Sequence, residues 1–372
     1  MNVNILGIRG LPAAHGGFES FAAKLATFLV EKGHSVTVYC QQNSDYQGPR
    51  EDKWNSIHRV HIAPRFDGPL GTIEFDWLCT KDVWKRGGVD LVLGYNTAIF
   101  HVFSRLKGRK IAINMDGIEW KRAKWGGIAK TWFFMNELIG TNLLNVPIAD
   151  HPQIKQHLRS KCFKEIEVIP YGAEQILSAN LNTLFKFGLD RDNYIISIAR
   201  IEPENSILEM VRAFAKVNME IKFVILGKID ERNEYHKKVL AAANENVIFL
   251  GAIYCPETVS CLRFYCKAYM HGHQVGGTNP SLVEALGAGN AVIAHNNRFN
   301  KWVLGEKHFY FEDEESLSSI FNTTLNNSDA PLRTARESAR ERFKTAFQWE
   351  QILQKYEDVL LSLEGEAKTK LT

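Results

Sequence analysis

Nowhere in this sequence does an apolar run reach the roughly 20 residues that a membrane-spanning helix requires. Solenoid-length repeats and low-complexity tracts are also missing. The start, MNVNILGIRG, lacks the basic region and long apolar core of an export signal and reads as a first strand, so a cytoplasmic chain is expected. Charge of one sign is not in excess: 45 Lys and Arg stand against 42 Asp and Glu, a net of +3. That balance excludes a general nucleic-acid binder, whose affinity would come from neutralising phosphates, and any basic site has to be local. Cysteine is sparse, six in 372 residues, and none shows the C-x2-C pairing of a zinc site. Reduced thiols are expected, and the one cluster, Cys255, Cys261 and Cys266, lies in helix- and strand-like wording that predicts buried side chains.

What is present is alternation. Short β-branched runs (VNILGI, SVTVYC, VDLVLGY, KIAIN, VPIAD) are separated by helical patterns, the signature of βαβ units and a parallel sheet. One such helix is expected from Phe18 onward, with Phe21, Leu25, Phe28 and Leu29 inward. After IEVIPYGAE the pattern restarts with YIISIAR, IKFVILG, NVIFLG, AYMHG and NAVIAH. The chain is too long for one core, so two α/β domains are expected, each a doubly wound, Rossmann-like parallel sheet: residues 1–172, through Pro170 and Gly172, and 173–345. Residues 346–372 hold a last helix with Trp349, Leu353, Tyr356, Val359 and Leu360 on one side, which needs an apolar partner such as the first domain. Asp190-Arg-Asp192 precedes the second domain's first strand, at the edge opposite to a binding site, and reads as a surface loop; EDEES, Glu312 to Ser316, reads as a solvated loop and helix start.

The most informative stretch is HGHQVGGTNPSLVEALGAG, His271 to Gly289. Thr278 or Asn279 can cap a helix, Pro280 suits its first turn, and Gly287 or Gly289 can end it. Free N–H groups at that helix start, with Ser281 in its first turn and Gly276 and Gly277 before it, suit a diphosphate; Glu284, one turn in, suits a ribose hydroxyl. Arg200, ending the strand YIISIAR, can bind diphosphate oxygens. A second anion-suited corner in the first domain carries Gly16 and Gly17. Three or four charge-assisted contacts of about 1.5–3 kcal/mol approach the ~8 kcal/mol of a micromolar ligand, so no metal is required. The bland alternatives are a simple Gly-Gly turn, a solvated Glu284 and a surface Arg200.

Around NMDGIEWKRAKW, Trp120 and Trp125 interleave with Lys121, Arg122 and Lys124 beyond a strand end. Rings beside cations suit a stacked sugar and a lipid diphosphate at a membrane surface, or else a packed helix start. Asp116 at that strand end could orient an acceptor hydroxyl or serve as a cap. His15, His271 and His273 do not make a metal set; His271 is placed to touch the donor sugar or phosphate, with a satisfied polar role as the alternative.

Together GIRGLPAAHGGFE, NMDGIEWKRAKW, IPYGAE, ARIEPENSI and GGTNPSLVEALGAG resemble retaining GT-B glycosyltransferases of family 4, and within them a bacterial rhamnosyltransferase-like branch of surface polysaccharide synthesis. The resemblance spans nearly the whole chain. It implies two Rossmann-like lobes facing a cleft, donor on the second, acceptor on the first, and a C-terminal helix crossing back. It further implies transfer of a sugar, L-rhamnose from dTDP-rhamnose as the best guess, to a lipid-diphosphate-linked glycan on the inner face of the cell membrane, without metal or cofactor. Asp116, Arg200 and Glu284 would be catalytic. Gly16, Gly17, Arg200, His271, Gly276, Gly277, Thr278, Asn279, Ser281 and Glu284 would hold the donor, and His15, Asp116, Trp120, Lys121, Arg122, Lys124 and Trp125 the acceptor. Gly276 stands where the family carries the first of two acids, Asn205 where it carries a Lys, and Met115 where it carries a His. A nucleotide-sugar epimerase of the same fold and a non-catalytic membrane-docking subunit are the alternatives.

Overall fold

The computed structural model describes residues 1–13, 16–122, 125–217, 219–325 and 329–369. It divides into two compact units: Met1–Pro170 with Glu350–Thr372, and Tyr171–Trp349. His15 and Lys124 lie outside the described residues.

In the first unit the strands are β1 (Asn2–Leu6), β2 (Ser35–Gln41), β3 (Glu51–Trp54), β4 (Ile57–Ile62), β5 (Val89–Leu93), β6 (Lys110–Asn114), β7 (Val146–Ala149) and β8 (Glu167–Val168). They form one sheet in the order β3-β4-β2-β1-β5-β6-β7-β8. Every neighbouring pair is parallel except the polar edge strand β3, which folds back antiparallel on β4. VDLVL and KIAIN are buried along their whole length, as central strands covered on both faces must be. The one acid this buries, Asp90, is answered by the Arg109 guanidinium and by Asn4 Nδ2, which donates at 3.0 Å. The helices are α1 (Gly17–Glu31), α2 (Gly68–Val83), α3 (Ala98–Leu106), α4 (Gly127–Leu143) and α5 (Pro152–Arg159). In α1 the buried face is Phe21, Ala22, Leu25, Ala26 and Leu29. Phe28, expected inward, is only half-buried: helical rotation carries it to the flank, where the Lys32 ammonium lies 5.3 Å from its ring.

The second unit has β9 (Tyr194–Ile198), β10 (Lys222–Leu226), β11 (Val247–Gly251), β12 (Ala268–His271), β13 (Val292–His295) and β14 (Phe309–Phe311), ordered β11-β10-β9-β12-β13-β14 and parallel throughout. Its helices are α6 (Asn182–Phe185), α7 (Ile207–Lys216), α8 (Glu234–Ala242), α9 (Pro256–Phe264), α10 (Pro280–Gly287), α11 (Arg298–Leu304), α12 (Glu314–Ile320) and α13 (Asp329–Ala346). Counted within the unit, this is strand order 3-2-1-4-5-6, the doubly wound pattern that leaves a crevice where the winding reverses, between β9 and β12. Two apolar clusters fill the sheet's two faces. All six cysteines are free; Cys261 and Cys266 are buried, but Cys255 is exposed, because it precedes α9 in a loop with its thiol 3.1 Å from the Glu257 carboxylate. Asp190 and Asp192 are exposed, and Asp192 pairs with Arg336 at 2.9 Å. Asp313 of the EDEES stretch opens α12 through a reciprocal capping box with Ser316.

The last helix, α14 (Trp349–Thr369), belongs from Glu350 onward to the first unit. Ile352, Leu353, Tyr356, Leu360 and Leu363 form its buried side. Tyr356 packs its ring 4.7 Å from Phe21 and accepts a 2.7 Å hydrogen bond from Asn114 Nδ2, while Glu357 holds His34 at 2.6 Å. Tyr356→Phe leaves the buried Asn114 amide without its acceptor. The expected cost is about 1–3 kcal/mol, read as a lower urea midpoint for the first unit, and an unchanged midpoint would show that the bond is dispensable.

Candidate functional sites at the strand ends

A compact pocket of 220 Å³ opens between β9 and β12 of the second unit, walled by Ser197 to Arg200, Asn205, His271 to His273 and Asn279 to Ser281. Of the sequence-selected donor residues it brings together Arg200, His271, Asn279 and Ser281; Gly276, Gly277, Thr278 and Glu284 lie off its walls. His271 ends β12 fully buried, and its Nε2 has no hydrogen-bond partner. Burial, reinforced by His273 and His295, holds its pKa well below the ordinary histidine value, so the imidazole is neutral. Asn279 is the cap of α10: its side chain accepts from Ser281 N at 3.0 Å. The amides of Leu282 and Val283 bond to the Asn279 carbonyl, and Pro280 has no N–H. The free amides expected at this helix start are therefore already satisfied, and what its tip offers the pocket is the helix dipole. The Ser281 hydroxyl, too, is engaged internally, with Ile198 O at 3.1 Å, Tyr269 Oη at 2.5 Å and Arg263 Nη2 at 3.2 Å. Those bonds bolt the helix tip to the end of β9. Gly277 has φ 137°, which only glycine adopts without strain.

Arg200 is 64% exposed and faces Glu202 at 2.9 Å and Glu204 at 3.8 Å. Asn205 donates to the Arg200 carbonyl at 2.9 Å and meets His273 Nδ1 through its Oδ1 at 2.6 Å. Glu284, its side chain 36% exposed, is not a lone acceptor: Arg263, buried in α9, holds its Oε2 at 2.5 Å. Arg263 was missed in the sequence because it lies 21 positions earlier on another helix, in wording that reads as core.

In the first unit a larger cavity, 1130 Å³, sits over the carboxyl ends of β1, β2, β4 and β5. Its walls include Arg9, Gln41, Phe66, Asp76, Asn96, Thr97, Trp125, Trp132 and Phe133. Of the acceptor residues selected from sequence that lie among the described residues, only Trp125 lines it. Trp120 is built into a buried polar cluster instead: its Nε1 donates to Glu137 at 2.9 Å, and Glu137 also holds His157 at 3.1 Å and Lys161 at 2.9 Å. Glu119 binds both Trp125 Nε1, at 2.8 Å, and Arg122, at 3.0 Å. Lys121 is exposed, 5.4 Å from the Trp120 ring. Asp116 is exposed with φ 50°, its amide donating to Asn114 Oδ1 at 2.9 Å; the residue that opens the following turn is Ile118, so Asp116 is not its cap. Gly16, at φ 96°, precedes α1, where a side chain would strike the Glu19 carboxylate. Glu19 also accepts from Arg9 N at 3.2 Å, so an anion reaching this corner has to displace an acid. Met115 is buried. Asp76 carries one short bond, from Thr97 Oγ1 at 2.8 Å, and its pKa is pushed up to about 7 by burial. Among the described residues no group of three or more His, Cys, Asp or Glu could hold a metal ion, and no helix is long and apolar enough to cross a membrane.

Comparison with known proteins finds a match in each unit. Residues 182–342 match the family model "Glycosyl transferases group 1", and residues 1–174 match "Domain of unknown function (DUF1972)". The second unit thus carries a glycosyltransferase domain, and the two parallel-sheet units have the architecture of GT-B glycosyltransferases. Among similar solved structures is sucrose-phosphate synthase from Thermosynechococcus elongatus, 16% identical, with a TM-score of 0.84 over 98% of this chain and 99% of that one. Anabaena HepE, in complex with UDP and glucose, is 15% identical with a TM-score of 0.76 over 97% and 100%. An E. coli trehalose-6-phosphate structure bound with UDP-2-fluoro glucose is 10% identical with a TM-score of 0.73 over 97% and 99%. No curated protein matches the chain.

Asp76 gives a pH signature. In the unfolded chain it titrates near 4, in the folded unit at about 7, so the folded state holds the extra proton across that window and this residue lowers stability as pH rises through it. Asp76→Asn keeps an acceptor for Thr97 and abolishes the titration. Its Tm is expected to equal that of the wild type near pH ~4 and to exceed it at pH ~8; a gap that does not change with pH would disprove the assignment.

Proposed function

We propose that the chain is a retaining, metal-independent glycosyltransferase that takes its sugar from a nucleotide-diphosphate donor bound in the second unit. The observation that carries this reading is His271: a buried, neutral imidazole with an unpartnered Nε2 on the wall of a pocket shared with Arg200 and the tip of α10. An orphaned buried polar atom costs stability unless a ligand completes it. A guanidinium, a neutral imidazole and a helix dipole around one crevice suit a diphosphate and the sugar joined to it. The UDP complexes of the similar structures support the donor class.

In this reading Arg200 exchanges Glu202 and Glu204 for the leaving diphosphate, and Glu284, oriented by Arg263, accepts from the ribose. Gly276, Gly277 and Thr278 frame the donor, and the sequence resemblance assigns Gly16 and Gly17 to it as well. The acceptor hydroxyl, oriented by Asp116, attacks the anomeric carbon on the face the diphosphate leaves, and a donor phosphate oxygen takes its proton. The finer assignment is L-rhamnose from dTDP-rhamnose, moved to a lipid-diphosphate-linked glycan at the cytoplasmic membrane surface with no cofactor. Its support is the sequence resemblance, with Trp120, Trp125, Lys121 and Arg122 toward the acceptor.

Purified protein titrated with dTDP and UDP, then incubated with a panel of nucleotide sugars and lipid-diphosphate acceptors, tests this directly. Nucleotide binding and transfer with retained anomeric configuration are expected; neither binding nor transfer would sink the reading, and turnover of donor alone would replace it with an epimerase. Glu284→Ala is expected to weaken nucleotide binding by about 1–3 kcal/mol in calorimetry, and an unchanged affinity would remove Glu284 from the site.

A further inference from the structure

The cavity of the first unit is left unused by the donor. It lies at this sheet's own winding reversal, between the ends of β1 and β5, and differs in chemistry from the pocket of the second unit. Two of its walls are indoles whose N–H groups are already tied down: Trp132 Nε1 to the Asn96 carbonyl at 2.8 Å and Trp125 Nε1 to Glu119 at 2.8 Å. Their polar edges are anchored and their orientation is fixed, so what they contribute to a ligand is ring face. Among them sits the Asp76 carboxyl, with the Thr97 hydroxyl 2.8 Å away and, among the described residues, no cation in hydrogen-bond contact. The charged side chains on the remaining walls are Arg9, Asp67 and Glu119, and Glu119 is occupied by Trp125 and Arg122. With Glu119 paired to Arg122, Arg9 is offset by Asp67, so these walls carry no net positive charge to hold a phosphate. Fixed ring faces beside a carboxyl–hydroxyl pair match a pyranose: the rings cover its C–H face, and the carboxyl reads its hydroxyls.

We propose that this cavity binds a neutral sugar ring, with Asp76, steadied by Thr97, as the residue that reads its hydroxyls. Resting on the glycosyltransferase reading, that ring is the terminal residue of the acceptor glycan, and Asp76 is a specificity-determining residue for it. The lipid and diphosphate parts of the acceptor lie outside this cavity. Asp76 makes and breaks no covalent bond. A carboxyl that is partly protonated near neutral pH both donates and accepts, as a sugar hydroxyl does, and burial pushes the Asp76 pKa up to about 7.

Saturation-transfer NMR of the full chain with a panel of neutral methyl pyranosides, run beside calorimetry with dTDP and UDP, tests the assignment. At least one glycoside is expected to bind the wild type. Asp76→Ala and Trp132→Ala are each expected to weaken that binding by about tenfold or more while nucleotide affinity in the second unit stays within about twofold, and a retained cooperative urea transition of the first unit shows that both variants are folded there. Asp76→Asn, which keeps an acceptor but loses the acid proton, falls between wild type and Asp76→Ala. If transfer is measurable, Asp76→Asn raises the acceptor KM and leaves the donor KM unchanged, a split that a purely structural residue would not give. No glycoside binding, binding indifferent to both Ala variants, or prenyl phosphate competing for the Trp132 site overturns the inference. Retained glycoside binding without any nucleotide binding sinks the donor reading and leaves this one standing; the reverse pattern sinks this one alone.

Discussion

The organisation of both units rests on one geometric constraint, the reversal of winding in a parallel sheet. Strands β9 and β12 are neighbours, yet the chain leaves them toward different helices, so no connection closes over their carboxyl ends. The same holds for β1 and β5 in the first unit. The two described cavities that hold chemistry open there. Parallel strands buried on both faces supply the rigidity: β5, β6 and β12 are buried at every position, so the side chains just past their ends are aimed by fixed backbone.

Carboxylates do much of the fine positioning, and they do it differently in the two units. Glu137 gathers Trp120, His157 and Lys161; burial alone would raise the Glu137 carboxyl, but hydrogen bonds from His157, Lys161 and Trp120 hold it below its usual range. Glu119 fixes Trp125, and Arg263 fixes Glu284. Asp76 departs from this pattern. It has a hydroxyl but no cation, so burial wins and its pKa rises, whereas His271, buried with no partner at Nε2, is driven the opposite way. In both groups the charged form is disfavoured for one physical reason, the cost of taking a charge out of water. They differ in company: a guanidinium and a helix tip share the pocket of His271, while ring faces share the cavity of Asp76.

Much of the fold was legible because its signals are local. A parallel strand covered on both faces writes itself as a continuous apolar run, and VDLVL, KIAIN, YIISI and KFVIL fall where such runs stand. Likewise α10 announces itself through Asn279, Pro280 and the positive-φ Gly289 just past its end. β3, EDKW, was not legible, since a polar edge strand needs no apolar pattern and exists by pairing with β4. The candidate donor pocket was half visible as geometry: Arg200, His271, Asn279 and Ser281 come together because strand ends and helix starts can be read from sequence, but the internal satisfaction of the α10 amides depends on cap geometry that sequence leaves open. Arg263 and Asp76 were invisible for a different reason. Each acts through a partner 21 residues away, Glu284 and Thr97 respectively, on a helix whose sequence reads as ordinary packing.

Asn205 illustrates how a departure from a family pattern is absorbed. An ammonium at that position could only donate, whereas the amide donates to the Arg200 carbonyl and offers an oxygen to His273. Substituting one for the other removes a cation from the pocket and adds a link between the loop after β9 and the loop after β12. That link is continued by Ser206, which donates to the Gly272 carbonyl at 2.7 Å, and by Gln274, which reaches Ser206 at 2.9 Å. The two loops flanking the crevice are thus stitched together by neutral hydrogen bonds, and its one guanidinium is balanced by Glu202 and Glu204. Under the proposed function, a dianionic leaving group entering such a site would gain its charge compensation by exchange, Arg200 leaving Glu202 and Glu204 as the diphosphate arrives. For the proposed donor, selectivity then rests on shape and on the neutral His271 more than on net positive charge.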